Sequence, residues 1–224
     1  MPKPTISQQD LYDMLICDYA TGSLSASENL LIDIHLDLNP NAQDKLHKYD
    51  TLGGDLIERA TPEMVSKCCF ESVMDALDEC CPCPSKKAKR QQHCQSMPHS
   101  LGKLLDKQDF CDLRWKNLHN GIEVFNIPLC HRRQQTLRLV RVAPGVHTPQ
   151  HHHKGREITL ILDGRYDDEY GTYKSGDIAI IDDPDVIHGP NACQSKGCIA
   201  LTITDAPLQF EQNRYKLINL FTRF

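Results

Sequence analysis

The sequence lacks any apolar run long enough to cross a membrane. A transmembrane helix needs about 20 consecutive apolar residues, and no stretch of the 224 residues approaches that length. The N-terminus, MPKPTISQQD, also lacks the apolar segment of a secretory signal peptide. Because 40% of the residues are hydrophobic, enough to form a core, we expect a globular cytoplasmic protein.

Basic residues are scarce in the first 81 positions, which contain 5 Lys and Arg against 15 Asp and Glu. Affinity for nucleic acid comes largely from Lys and Arg that neutralise phosphates. A DNA-binding activator is therefore disfavoured. The acidic half suits a basic protein partner, although a solvated acidic helical surface would have the same charge.

The 11 cysteines have neither the even number nor the export signal of a secreted disulfide framework. Free thiols or metal ligands are expected instead. A replacement zinc site or a thiol switch is a minor hypothesis for the group near residue 81, since its spacing fits no standard zinc finger. That group consists of Cys80, Cys81, Cys83, His93 and Cys94.

Four helices are predicted between residues 7 and 80. Ser7 and Ser25 each precede an acidic residue by three positions, the pattern of a capped helix start, and apolar residues then recur at helical spacing. The third helix contains Gly53-Gly54. Each glycine costs about 1 kcal/mol in a helix, so a bend or the close approach of another chain is expected there. Cys68-Cys69 is expected to pack within the fourth helix, whose apolar stripe is Phe70, Val73, Met74 and Leu77.

The segment of residues 81–98 contains three prolines and a basic cluster and breaks all periodicity, which is typical of a solvated linker. We therefore predict a helical domain (1–80), a linker (81–100) and a second domain (101–224). The second domain has short runs of β-branched residues, typical of a β-sandwich or small barrel. The predicted strands are 122–127, 137–142, 158–162, 178–181 and 198–203.

A histidine-rich stretch, GVHTPQHHHKGREITLILDG, occupies residues 145–164. In a strand, His151 and His153 would share one face. Glu157 follows a short turn, and His188 would complete the set if its segment lies alongside. Three imidazoles and one carboxylate suit Zn(II), and with open positions they also suit Fe(II), Mn(II) or Ni(II). The alternative is an empty polar cluster.

The other histidines considered, His119, His131 and His147, lack such spacing and are expected at the surface.

The same stretch matches the first cupin motif: Gly145, five residues, His151-x-His153, three residues, Glu157, six residues and Gly164. The second motif is looser, with Gly176 and His188 present and its asparagine, Asn191, one position early. The second domain therefore resembles a cupin, a double-stranded β-helix that holds one divalent metal.

The whole chain resembles the ChrR family of bacterial zinc-binding anti-sigma factors. The resemblance is carried by DYATGSLS (18–25), IHLDLNPNAQ (34–43), LGGDLIE (52–58) and TDAPLQF (204–210). It implies an α+β protein, with a four-helix anti-sigma domain before an all-β cupin. It also implies a cytoplasmic regulator that binds an extracytoplasmic-function sigma factor through its N-terminal helices, without contacting DNA or a membrane, and releases it under singlet-oxygen-like stress. A homo-oligomer through the cupin is possible.

The N-terminal zinc site of that family is changed in this sequence. The family builds it from an early histidine and a His-x3-Cys-x2-Cys stretch. Here His35 remains, while Asp10, Asn39 and Ala42 stand at the other three positions. Closed zinc sites take four ligands, mostly thiolate and imidazole, so we expect the helical domain to hold together without zinc, by its apolar stripes.

The alternative function is a cupin metalloenzyme, a dioxygenase or isomerase with a non-catalytic helical domain. The same ligand set binds substrate and O2 in such enzymes, and the fold alone does not decide. Arg156 and Tyr166 are the additional acid or base candidates near the motif. Metal identity and O2 consumption discriminate the two functions.

Overall fold

The computed structural model describes residues 6–64, 66, 68–78, 96–129 and 135–210. The chain divides into two compact units, one of Met1–Tyr49 and Cys94–Phe224 and the other of Asp50–His93. The predicted domain boundary at residues 81–100 falls largely outside the described residues and stays a prediction. Within the part of the chain that is described, no helix has the length and apolar character needed to cross a membrane.

The helices begin where the sequence provides caps. The Ser7 side chain accepts a hydrogen bond from the Asp10 backbone N–H at 3.1 Å, and Ser25 forms a reciprocal capping box with Glu28. Pro40 opens the third helix, a position where its missing N–H costs nothing. The four predicted helices are confirmed, and a short fifth one was not predicted: α1 (Gln8–Ala20), α2 (Ala26–Leu38), α3 (Pro40–Glu58), α4 (Cys69–Asp78) and α5 (His99–Leu105).

The C-terminal half is antiparallel β-structure, which confirms the predicted α+β class with a cupin-like domain. Its main sheet has the order β1-β2-β3-β9-β5-β6, with β7 and β8 also paired to β5, and β4 pairs with β10. The strands are β1 (Lys116–His119), β2 (Ile122–Asn126), β3 (Thr136–Val142), β4 (His151–His152), β5 (Glu157–Asp167), β6 (Thr172–Lys174), β7 (Ile178–Ile181), β8 (Asn191–Ala192), β9 (Cys198–Thr204) and β10 (Gln209–Phe210).

Strand β5 is the centre of this sheet and bends along its length. Its register against β9 shifts between Ile161 and Asp163, where a bulge redirects the strand. Gly164 follows with a positive φ of 76°, and a Cβ there would lie 2.1 Å from the Gly197 carbonyl oxygen. Only glycine fits this close crossing, which explains the last residue of the histidine-rich motif.

The two faces of the sheet have different neighbours. Since side chains alternate along a strand, Ile158 and Leu160 of β5 join Ile16 and Leu31 of α1 and α2 in one buried core. The opposite face of β5 presents Glu157 and Thr159 to an interior cavity. The first two helices thus cover the outer face of the sheet whose inner face contains the histidine cluster.

A glutamine side chain attaches α1 to the edge strand β7. The Gln8 amide donates to the Ile180 carbonyl at 2.5 Å and accepts from the Ile180 N–H at 3.1 Å. It therefore satisfies both backbone groups of one residue at a sheet edge, where unpaired groups would invite non-native pairing.

Candidate metal centre

The four predicted ligands come together at the start of β4 and β5. His151 exchanges two backbone hydrogen bonds with His188, at 3.0 and 3.1 Å, which places the two side by side. Glu157 is the first residue of β5, and His153 lies between the two strands. All four are buried, and one ligand atom from each lies within 4.8 Å of the others.

The separations of the ligand atoms fit one metal ion. His153 Nε2 lies 3.0 Å from His188 Nε2 and 3.5 Å from Glu157 Oε2, while His188 Nε2 lies 3.9 Å from Glu157 Oε1. Two atoms each bound at about 2.1 Å to one ion lie roughly 3.0–3.4 Å apart at octahedral or tetrahedral angles. A cation between the two Nε2 atoms would satisfy both lone pairs at once, so the residues fit a divalent metal.

Burial sets the charge state of this cluster. Burial, with a smaller contribution from the neighbouring histidines, lowers the pKa of His151 and of His153 to about 3. These two imidazoles are therefore neutral, which is the form that ligates metals. Burial also raises the pKa of Glu157. A bound cation would oppose that effect by favouring the carboxylate.

Contacts behind two of the four residues, His151 and Glu157, fix their orientation. His151 Nδ1 donates to the Pro149 carbonyl at 2.8 Å, which leaves its Nε2 available as a ligand. Thr159 donates to Glu157 Oε1 at 3.1 Å. His188 Nδ1 lies 3.7 Å from an Asp168 carboxylate oxygen, which is too long for a hydrogen bond, and among the described residues it has no hydrogen-bond partner.

A cavity of about 110 Å³ lies against this cluster, with His151 and Glu157 in its wall. Its other lining is mainly apolar and comes from the inward side chains of several strands.

The structure changes two expectations from the sequence, both for residues of the cavity wall. His119, predicted at the surface, is half-buried and lines the cavity. Tyr166, considered only as an acid or base, is a buried wall residue whose pKa is raised by burial.

The cysteines differ from expectation in two places. Cys68 and Cys69 are exposed and do not pack in a core. Cys111 is disulfide-bonded, so the expectation of free thiols does not hold for it. Cys198 is a free cysteine in the cavity wall, and burial raises its pKa to about 12. Residues 79–95, which include the proposed thiol group of Cys80, Cys81, Cys83, His93 and Cys94, lie outside the described residues, as does His131.

Comparison with known proteins identifies the family. The anti-sigma-E factor ChrR of Cereibacter sphaeroides is 32% identical over 213 residues, covering 94% of this chain and 96% of that protein. The chain belongs to the ChrR family of anti-sigma factors. Residues 107–207 match the model of the ChrR cupin-like domain.

One solved structure, that of a sigma factor in complex with ChrR, agrees with this family assignment. The chain is similar to the crystal structure of Rhodobacter sphaeroides SigE in complex with the anti-sigma factor ChrR, with 30% identity, a TM-score of 0.69, and coverage of 86% of this chain and 96% of that chain. An RmlC-like cupin protein from Ralstonia eutropha matches with 20% identity and a TM-score of 0.40, covering 47% of this chain and 71% of that chain.

The residues at the four expected N-terminal zinc positions have other contacts in this structure. His35 is buried, and its Nε2 is hydrogen-bonded to the Tyr12 hydroxyl at 2.8 Å. Asp10 accepts from the Ser7 hydroxyl at 2.7 Å, and the Asn39 side chain accepts from the Asn41 backbone N–H at 3.1 Å. Ala42 is buried but offers no ligand atom. These residues do not fit a closed zinc site.

The Tyr12–His35 bond joins α1 to α2, and a further contact extends it to α3. The Lys45 ammonium lies 5.0 Å from the centre of the Tyr12 ring and forms an ion pair with Asp13. Burial lowers the pKa of His35, an effect that the Gly176 carbonyl and Asp177 partly oppose. A neutral hydrogen bond therefore links α1 to α2 at the position where the resemblance implies a zinc site.

The metal centre predicts that His153→Ala abolishes metal binding, because it removes one of four converging ligands. His152→Ala is the matched control, since this neighbouring histidine is not part of the cluster. Elemental mass spectrometry of each purified full chain measures the metal per protein. Equal metal content in the two variants would contradict the assignment of the site.

The Tyr12–His35 bond predicts that Tyr12→Phe lowers the free energy of unfolding by about 1–3 kcal/mol, because a buried imidazole nitrogen loses its partner. Added zinc should not restore that loss. Urea denaturation of the full chain measures it, with Tyr170→Phe as the control because Tyr170 is exposed. Recovery of Tyr12→Phe by zinc would show that the helices do hold a metal.

Proposed function

We propose that this protein sequesters an extracytoplasmic-function sigma factor in the cytoplasm and releases it when oxidants such as singlet oxygen act on its zinc-loaded cupin. Membership of the ChrR family supports sigma binding, since a relative's structure contains a sigma factor. The structural observation that carries the proposal is a set of exposed apolar side chains within the unit of residues 50–93.

Two helical stripes form this set. The α4 stripe consists of Phe70, Val73, Met74 and Leu77, which repeat at intervals of three and four residues and are 42–72% exposed. The α3 stripe consists of Leu52, Leu56 and Ile57, which are 57–76% exposed. An amphipathic helix normally buries its apolar stripe, and exposed apolar surface of this kind marks a protein interaction site.

The glycine pair on α3 supports the same conclusion. A Cβ added at Gly53 or Gly54 would meet nothing within 4 Å, so the described part of this chain supplies none of the close packing expected there. We infer that a partner helix approaches this surface. Acidic residues flank both stripes, among them Asp55, Glu58 and Asp75, which favours a partner with basic residues around an apolar groove.

A set of polar contacts connects the cupin to α2 beside the metal centre. Arg156, which directly precedes the candidate ligand Glu157, forms an ion pair with Glu28 of the α2 capping box. The Asp205 N–H donates to the Arg156 carbonyl at 3.1 Å, and Gln135 donates to Asp205 at 3.0 Å. A displacement of Glu157 would therefore move the adjacent Arg156 and change its ion pair with Glu28 at the N-terminus of α2.

Zinc is the proposed metal because the ligands are imidazoles and one carboxylate, and because the protein acts as a regulator. Iron, manganese or nickel in the same site, together with O2 consumption, would instead favour the metalloenzyme alternative. Family membership makes that alternative the less supported one. The cupin–cupin homo-oligomer remains a prediction.

The apolar stripes predict that Phe70→Asp or Val73→Asp weakens sigma binding by on the order of 100-fold, because a charge replaces a buried anchor. The control is Leu104→Asp, which changes an apolar residue on α5 that is also exposed, at 42%. Each full-length variant is co-expressed with the cognate sigma factor, and affinity is measured on the purified proteins. A wild-type chain that forms no complex at micromolar concentration would refute the proposed function.

The Arg156–Glu28 pair predicts that its loss uncouples metal content from sigma affinity. In the wild type, removing the metal with a chelator should weaken sigma binding by roughly 5- to 150-fold, the usual range of allosteric coupling. In Arg156→Ala and Glu28→Gln this factor should be smaller, and the two effects should not add in the double variant.

Arg165→Ala is the matched control, because Arg165 is exposed and its ion pair with Asp167 is 3.5 Å long. Glu28→Gln preserves an oxygen acceptor for the capping box. An unchanged response to the chelator in Arg156→Ala would exclude this route of coupling.

A further inference from the structure

An open groove of about 790 Å³ lies between the start of α1 and the loop that follows β7. It belongs entirely to the unit of Met1–Tyr49 and Cys94–Phe224. Ile6 and Tyr170, which line it, are 52% and 54% exposed, so the groove presents apolar surface to solvent. Exposed apolar surface of this kind marks an interaction site. The rest of the apolar lining is Leu11, Tyr173, Ala179, Ile180, Ile181, Pro184 and Val186.

Acidic side chains border the groove on the cupin side. Asp182, Asp183 and Asp185 line it and are exposed. Asp168 also lines it, but its carboxylate accepts hydrogen bonds from two backbone N–H groups of its own turn. Among the described residues, no lysine or arginine lines the groove. An apolar groove with an acidic rim favours an occupant that is both apolar and basic.

The last 14 residues of the chain have that composition. This C-terminal segment (211–224), EQNRYKLINLFTRF, lies outside the described residues and contains three basic residues against one acidic residue. At the period of an α-helix, one face is apolar and the opposite face is polar. The apolar face would consist of Leu217, Leu220, Phe221 and Phe224, and the polar face of Lys216, Asn219, Thr222 and Arg223. Such a segment needs a surface against which to bury its apolar face.

The segment begins close enough to reach the groove. Phe210 pairs with His151 across β10 and β4, and His151 pairs on its other side with His188, two residues after Val186 of the groove. Since neighbouring strands lie about 4.8 Å apart, this places Phe210 on the order of 10–20 Å from the groove. Six extended residues, 211–216, would span about 20 Å, which leaves 217–224 to fill the groove.

We propose that the C-terminal segment docks in this groove of its own chain, with its apolar face on Ile6 and Tyr170 and its basic residues beside the aspartates of the rim. The docked segment would hold the loop before His188 against the start of α1. The inference rests on the proposed function and deepens it, because it adds a second connection between the metal centre and the helices.

A carbodiimide cross-linking experiment on the full chain, without a sigma factor, tests the contact directly. The reagent joins an ammonium to a touching carboxylate as an amide, and Lys216 is the only lysine of the segment. We expect mass spectrometry to find Lys216 linked to Asp182, Asp183 or Asp185. Lys216→Arg is the control, because it keeps the charge and cannot form the amide. Mixing ¹⁴N- and ¹⁵N-labelled protein shows whether a link lies within one chain or joins two.

Hydrogen exchange provides a second measurement. Phe221→Asp places a charge on the apolar face and should release the segment, so that the backbone amides of residues 182–187 exchange about tenfold faster. Thr222→Asp is the matched control, since it adds the same charge one position along, on the polar face. Its exchange should equal that of the wild type.

The proposal is overturned if Lys216 links to none of the three aspartates, or if Phe221→Asp and Thr222→Asp have the same exchange rates. Links to carboxylates beside the α3 and α4 stripes would place the segment on the sigma-binding surface instead, and links between isotopically different chains would assign the groove to a second copy. Either result overturns docking within one chain. Failure here with an intact sigma complex would leave the proposed function standing, whereas loss of the sigma complex alone would refute only the latter.

Discussion

The alternation of side chains along β5 is the constraint on which the rest of the structure depends. Ile158 and Leu160 belong to the core shared with the helices, while Glu157 and Thr159 face the cavity. A shift of one residue in the register would exchange these two sets. A movement of β5 therefore changes its contacts on both faces, and on the proposed function the sheet carries the signal from the cupin interior to α1 and α2.

The stability of the buried His151, His153, Glu157 and His188 cluster depends on the apolar core around it. Three buried imidazoles and a carboxylate would be costly in isolation, because burial opposes every charged form. Burial keeps the imidazoles of His151 and His153 neutral, however, and a cation within the cluster would satisfy both the lone pairs and the carboxylate. The helices that cover the outer face help to exclude water, which strengthens the electrostatic interactions of the site. Removing the metal would leave the buried Glu157 carboxylate and the imidazole lone pairs without a cation. That state is unfavourable, and a change in the position of β5 would relieve it.

Local features could be predicted from the sequence, and features that join distant segments could not. Ser25 and Glu28 predict the start of α2 because a capping box is complete within four residues, and the spacing of His151, His153 and Glu157 predicts their proximity. The Arg156–Glu28 ion pair joins residues 128 positions apart, and no periodicity indicates it. The exposure of Cys68 and Cys69 was missed because a helical pattern does not show which face meets a partner. Tyr166 was seen only as an acid or base, since the cavity exists only after several strands have paired.

On the proposed function, the residues at the expected N-terminal zinc positions determine where an oxidant can act. A zinc site with thiolate ligands would be an oxidisable centre among the helices, because thiolates are the reactive form of cysteine. Here Asn39 and Ala42 stand at the thiolate positions, and the Tyr12–His35 bond that links α1 to α2 contains no sulfur. Oxidation therefore cannot open these helices by releasing a zinc ion. On the proposed function, among the described residues the cupin centre and the contacts around Arg156 remain as the route by which the state of the metal reaches the sigma-binding helices.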